Sequence, residues 1–165
     1  MITLEVVTSE NAMVFRDVRL RALKETPSAF SSTYADESQL TDTEWVKRVA
    51  QRSGKRSRTY LAMDTAGPCG IVGGFFDQGD SARAHLVSMW VAPTYRRLGI
   101  GAQLVNAIVD WARAEGARTL RLIVTSNNDG GIEFYQSLGF TITAKIGPYR
   151  NDPALSDLEM VRSIS

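Results

Sequence analysis

The spacing of hydrophobic positions changes several times along this chain, and each change marks an element. From Ile2 to Val7 apolar and polar residues alternate well enough for a strand. Beyond Ser9, a residue type that caps helices, Val14, Val18 and Ala22 recur at helical spacing to about Lys24, and Pro27 ends the run. Residues 26–40 read as a loop or broken helix in which Phe30, Tyr34 and Glu37 stand out. Thr41-x-x-Glu44 is a capping box ahead of a helix carrying Trp45, Val46 and Val49, stopped at Gly54.

Three strands follow, Thr59–Asp64, Ile71–Asp77 and His85–Val91, joined by turns at Ala66-Gly67-Pro68 and Gln78-Gly79-Asp80, which predicts an antiparallel meander. A helix over 101–115 has Leu104, Val105, Ile108, Val109 and Ala112 on one face and stops near Gly116. Next come a strand at Arg118–Thr125 and a helix from Asn128 or Asp129 to Ser137, with Gly139 as terminator. Phe140–Ile146 and Leu155–Val161 are the last strands, separated by a loop holding Gly147, Pro148, Tyr149 and Asp152. The order β-α-α-β-β-β-α-β-α-β-β predicts a single α+β domain over 1–165 built on a mixed sheet.

Composition removes whole classes of function. At 44% hydrophobic, 22% charged and a net charge of +1, the chain has no field favouring nucleic acid or a membrane surface. No apolar run reaches the length of a membrane span, and residues 1–10 lack the apolar core of a signal peptide. Cys69 is the only cysteine, which rules out an internal disulfide and fits a reducing cytoplasm. Beside Pro68 and Gly70 it reads as a turn residue rather than a nucleophile. One histidine and one cysteine cannot build a metal cluster, so no metal is expected. The short basic run Lys55, Arg56 and Arg58 reads as a solvated turn.

The chemistry concentrates between Leu86 and Gly101, where a buried strand is followed by a basic turn with two glycines and then a helix. A helix start exposes unpaired N–H groups and the positive end of its dipole. Glycines let an anion approach that backbone, and Arg96 and Arg97 add charge, so the chemistry asked for is a phosphate or diphosphate. Taken alone, the glycines need do no more than make a tight turn, and that reading comes first. No Gly-Lys-Ser/Thr follows, so this is not a P-loop, and the third glycine of a dinucleotide fingerprint is missing.

Arg96-Arg97-Leu98-Gly99-Ile100-Gly101-Ala102 resembles the R/Q-x-x-G-x-G/A signature of the GNAT superfamily of acyl-CoA-dependent N-acetyltransferases. Asn128 together with Phe134-Tyr135-Gln136-Ser137-Leu138-Gly139-Phe140 is similar to a second segment of that family, with Gly131 standing where the family usually has Ala. The resemblance covers the C-terminal half in detail and the N-terminal half in element order. It implies the GNAT fold: a mixed, mostly antiparallel central sheet of six to seven strands, splayed at the middle and flanked by about four helices.

It also implies acetyl-CoA as co-substrate. The diphosphate would rest on the amides of residues 97–102, and the pantetheine arm would pair with the strand edge at Met89, Trp90 and Val91 and with Asn128. The Met89 N–H would polarise the thioester carbonyl, and Tyr135 would protonate the leaving thiolate. From the residues alone, Tyr135 is equally a core aromatic. For the base, His85 stands on the same strand as Met89, and alternation predicts that the two share a face. Glu37 is the second candidate. The acceptor pocket would be built from Phe30, Tyr34, Trp90 and Tyr149.

The implied activity is transfer of an acetyl group to a primary amine, with a small-molecule acceptor favoured and a protein N-terminus or lysine as alternative. A non-catalytic acyl-CoA-binding module and a nucleotide-binding domain are the competing readings. A homodimer is left open.

Overall fold

Seven strands form one sheet in the computed structural model, which describes residues 1–165: β1 (Thr3–Val6), β2 (Ser57–Asp64), β3 (Gly67–Phe76), β4 (Arg83–Val91), β5 (Thr119–Thr125), β6 (Thr141–Tyr149) and β7 (Asp152–Ser163). Their order is β1-β2-β3-β4-β5-β7-β6, with every neighbouring pair antiparallel except β4 and β5. The helices are α1 (Ala12–Glu25), the single-turn α2 (Tyr34–Glu37), α3 (Asp42–Gln51), α4 (Ile100–Ala114) and α5 (Asp129–Ser137). No helix is long and apolar enough to cross a membrane. This is the GNAT architecture that the motifs imply.

Each face of the sheet carries its own core. Leu104, Val105 and Ile108 of α4 pack with Val72, Leu86, Leu120 and Met160 from the strands. On the other face Val18 and Leu23 of α1 and Trp45 and Val49 of α3 pack with Leu61, Ile71 and Trp90. The capping box forms as expected: Glu44 N–H donates to Thr41 Oγ1 at 3.2 Å, and Thr41 N–H to Glu44 Oε1 at 3.1 Å.

Several boundaries differ from the pattern. Thr8, not Ser9, is the capping residue, and it caps a 3-10 turn at Ser9–Asn11 that leads into α1: its hydroxyl accepts from the Glu10 amide and its own N–H donates to Asn11 Oδ1 at 2.8 Å. The buried stripe of α1 runs through Ala12, Phe15, Val18, Arg19, Ala22 and Leu23, while Val14 faces solvent. An arginine in that stripe hides the true face from a hydrophobic pattern. Cys69 lies inside β3, fully buried, with its thiol against the Ala62 carbonyl, because the β2–β3 hairpin turns earlier, at Thr65 and Ala66. Tyr149 and Asp152 close a hairpin rather than standing in a loop. β6 absorbs Gly147 and Pro148 through register shifts, which an edge strand tolerates.

Two irregularities of β4 create the site. It pairs with β5 only over Arg83–His85 and Thr119–Arg121, and beyond these the two strands diverge. Against β3, the register passes from Gly73↔Val87 to Ile71↔Trp90, so β4 holds one residue more than its partner over that stretch. Ser88 marks the bulge with φ at 58°.

Candidate active site

At the front of α4, Gly99 is the N-cap with φ at 83°, and no side chain caps the helix. Arg97 also has positive φ, at 64°. The amides of residues 97–102 donate to no acceptor within the protein. Successive free N–H groups on a chain curled this way form an anion-binding concavity. The two glycines do different work. Gly99 supplies the left-handed turn in open space, whereas a Cβ on Gly101 would stand 3.0 Å from both Met89 Cε and Phe134 Cζ. Ile100 is buried and anchors the turn, while Leu98 stays largely exposed. Arg96, expected at the anion, is committed elsewhere: its Nε donates to the Val91 carbonyl at 2.9 Å and its guanidinium pairs with Glu25. Arg97, with no ion pair, is the arginine left for an anion.

From this corner a cleft of about 940 Å³ runs between the diverging halves of β4 and β5. Met89, Val91, Ala102, Asn128 and Tyr135 all line it. Tyr135 projects from α5 with its ring edge-on to Phe134 and Phe140, at centroid distances of 5.1 and 5.7 Å. Burial pushes its phenol far above the ordinary range, so it holds its proton at neutral pH. Asn128 caps α5, its Oδ1 accepting from the Gly131 amide at 2.9 Å. That leaves Nδ2 as the end available to a ligand.

The base candidates fare differently. The bulge at Ser88 reverses the alternation of β4, so Met89 reaches Gly101 on the α4 side while His85 stacks on Phe75 across the sheet face opposite, at 4.9 Å. The expectation that His85 and Met89 share a face is therefore wrong. His85 still lines the cleft. Its Nε2 lies 2.8 Å from Asp77 Oδ2, and the hydrogen bond from His85 and one from the Gly79 amide hold the Asp77 carboxyl below its usual range. An ionised Asp77 accepts from Nε2–H and leaves Nδ1 as the basic nitrogen.

Glu37 is only 2% exposed and does not line the cleft. Both its oxygens accept from Arg19, at 3.0 Å each, and Arg19 Nη1 donates to Ser88 Oγ at 2.6 Å. Burial opposes its ionisation, but the Arg19 hydrogen bonds and charge prevail and the carboxyl stays below the ordinary range. A carboxylate held this way cannot serve as a free base; it braces the arginine that pins the bulge.

Of the expected acceptor residues, Phe30, Trp90 and Tyr149 line the cleft. Tyr149 Oη donates to the Phe30 carbonyl at 2.7 Å, tying the β6–β7 hairpin to the loop after α1. Trp90 Nε1 donates to Glu25 at 3.0 Å. Tyr34 does not belong to the cleft: it is 40% exposed, with the Lys24 ammonium over its ring. Residues with no motif of their own, Thr125 of β5 and Asp157 of β7 among them, complete the lining. They face each other across the β5–β7 pair, a register that only the fold provides.

The chain's residues 20–140 match the family model described as "Acetyltransferase (GNAT) family". It is 31% identical to the L-amino acid N-acyltransferase MnaT of Escherichia coli over 83 residues, 47% of this chain and 48% of that protein. The chain spans between a quarter and about half of the length of the first curated relatives it matches. In fold it superposes on a GNAT-family acetyltransferase from Streptococcus pneumoniae with a TM-score of 0.83 at 22% identity, over the whole of both chains. It also superposes on yncA from Salmonella typhimurium, a structure containing acetyl-CoA, with a TM-score of 0.80 at 17% identity, covering 100% of this chain and 95% of that one. Family match, architecture and site geometry agree, and the chain belongs to the GNAT family of acetyltransferases.

Proposed function

We propose that this protein moves an acetyl group from acetyl-CoA to the primary amine of a small molecule, by direct transfer while both are bound. The observation that carries this reading is the continuity between the free amides at 97–102 and the gap between β4 and β5. A diphosphate-bearing thioester supplies the activated acetyl group. Backbone N–H groups of 97–102 and Arg97 hold its phosphates, and the unpaired edge of β4 at Met89 and Val91, with Asn128 Nδ2, holds its chain as an added strand would be held. The Met89 N–H polarises the carbonyl, Tyr135 Oη keeps a proton ready for the leaving sulfur, and His85, oriented by Asp77, takes the proton of the amine.

The small acceptor is favoured by the Tyr149–Phe30 hydrogen bond, which bridges the acceptor side where a protein tail would need an open groove. The likeness to an L-amino acid acyltransferase points the same way. We assign the enzyme to the cytoplasm, where Cys69 would remain a thiol.

Incubation with acetyl-CoA and a panel of amines, amino acids and short peptides, read by thiol release, tests this. Turnover on small amines supports it, turnover on peptides alone moves the acceptor to protein N-termini or lysines, and CoA binding without any turnover leaves a non-catalytic module.

A further inference from the structure

Five arginines line the cleft, Arg19, Arg96, Arg97, Arg121 and Arg150, against a single carboxylate, Asp157. Three of these arginines already have acid partners: Glu37 for Arg19, Glu25 for Arg96 and Glu159 for Arg121. Asp157 has no partner. Its carboxylate forms neither an ion pair nor an accepting hydrogen bond in the protein, and burial alone acts on it, pushing its pKa up. Asp157 is half-buried, so its carboxylate is only partly withdrawn from water, and with no counter-charge beside it the group is left open to a cation entering the cleft.

Strand parity fixes where it points. Leu158 and Met160 of β7 pack into the α4-side core, so Asp157 and Glu159 face the opposite side, where Glu159 meets Arg121. On β5, Leu120 and Leu122 are buried in that same core, which turns Arg121, Ile123 and Thr125 toward Asp157's side. Thr125 is its direct cross-strand partner. Ile123, Val87 and Phe75 lie on this face and line the cleft, with 48, 38 and 40% of their surface exposed. Large apolar side chains left open inside a cleft mark a surface awaiting a ligand. They form a hydrocarbon floor across β3, β4 and β5, and a carboxylate stands at its far end on β7.

We propose that Asp157 receives a cationic nitrogen of the acceptor, and that the acceptor is an alkyl amine whose hydrocarbon body lies on Ile123, Val87 and Phe75. The inference rests on the reading that the acceptor enters from this face, and it makes Asp157 a specificity-determining residue. The nitrogen held by Asp157 stays charged and is not the one that gives its proton to His85, which stands beside Phe75 at the other end of the floor, and the floor adds affinity in proportion to the apolar area it covers.

The test reads binding rather than turnover. Hexyltrimethylammonium carries the charge and the chain but has no N–H to acetylate, and hexanol has the chain without the charge. Calorimetry on the CoA-loaded protein should show hexyltrimethylammonium binding at least about tenfold tighter than hexanol, a preference lost in Asp157→Asn and kept in Asp157→Glu, with CoA affinity the same in all three. Equal binding of the two ligands by the parent protein, absence of any binding of the cation, or an undiminished preference in Asp157→Asn would overturn the assignment. Failure of thiol release with every amine would count against the acetyltransferase reading and leave this measurement intact.

Discussion

Asn128 Nδ2 stands 2.5 Å from the point where a Cβ on residue 131 would lie. The side chain that caps α5 therefore occupies the space that alanine, the usual family residue at that position, would need. Gly131 is the condition for the cap, and the cap sets the start of the helix that presents Tyr135. Exchange of Gly for Ala inside a helix ordinarily stabilises by about 1 kcal/mol. Here Gly131→Ala is expected to show none of that gain, because loss of the cap costs about as much, and to lower kcat by displacing Tyr135. The pair Asn128→Ala and Gly131→Ala should be less destabilising than the sum of the two single changes. Thermal unfolding of the four proteins checks this, and additivity would refute the coupling.

Tyr135 is expected to act through its hydroxyl alone. Tyr135→Phe preserves the ring packing against Phe134 and Phe140. It should cut kcat by about a hundredfold while CoA affinity changes little. Because burial raises the phenol's pKa, the parent enzyme should show no loss of activity from Tyr135 ionising anywhere near neutral pH. A rate unchanged in Tyr135→Phe would remove the acid role.

Glu37 and Arg19 form the buried pair beneath the β4 bulge. Glu37→Gln leaves the guanidinium without its counter-charge and should cost about 3–5 kcal/mol, whereas Arg19→Met combined with Glu37→Gln should cost less. The pH dependence has a definite sign. The Glu37 carboxyl ionises at lower pH in the folded protein than in the unfolded chain, so its contribution is complete above the ordinary carboxyl range and disappears as pH falls through the folded value. Denaturant titrations of the parent across acid pH should show that loss, and the same titrations of Glu37→Gln should show a shallower one.

The two glycines of the α4 corner should separate under substitution. A Cβ at Gly99 meets open space but must adopt positive φ, so Gly99→Ala should cost roughly 1 kcal/mol of strain and weaken CoA binding modestly. Gly101→Leu must force apart Met89 and Phe134 and is expected to abolish CoA binding. Titration with CoA distinguishes them, and equal losses would contradict the division of labour.

His85→Gln should flatten the acid limb of the pH–rate profile if its Nδ1 takes the amine proton. Asp77→Asn keeps the ring in place with a weaker partner and should lower kcat without removing the limb. An unaltered profile in His85→Gln would return the base role to water.

Much of the architecture was readable in advance because it depends on local order along the chain. Helix caps such as Thr41 and Glu44, the apolar face of α4, the meander of β2, β3 and β4, and the Arg-x-x-Gly-x-Gly corner each depend on residues a few positions apart. Periodicity and turn chemistry act over that range, so they can be read directly. Side-chain direction after the bulge could not be read. One extra residue at Ser88 inverts every later position of β4, and the inserted residue is an ordinary serine held by an arginine 69 positions away. Long-range pairing was equally silent. It turned Arg96 to Glu25, committed Glu37 to Arg19, excluded Tyr34 from the cleft and left Asp157 as its lone carboxylate. These outcomes follow from which charges meet once the strands are in register, and a charge shows no sign, in the linear chain, of the partner that packing will bring to it.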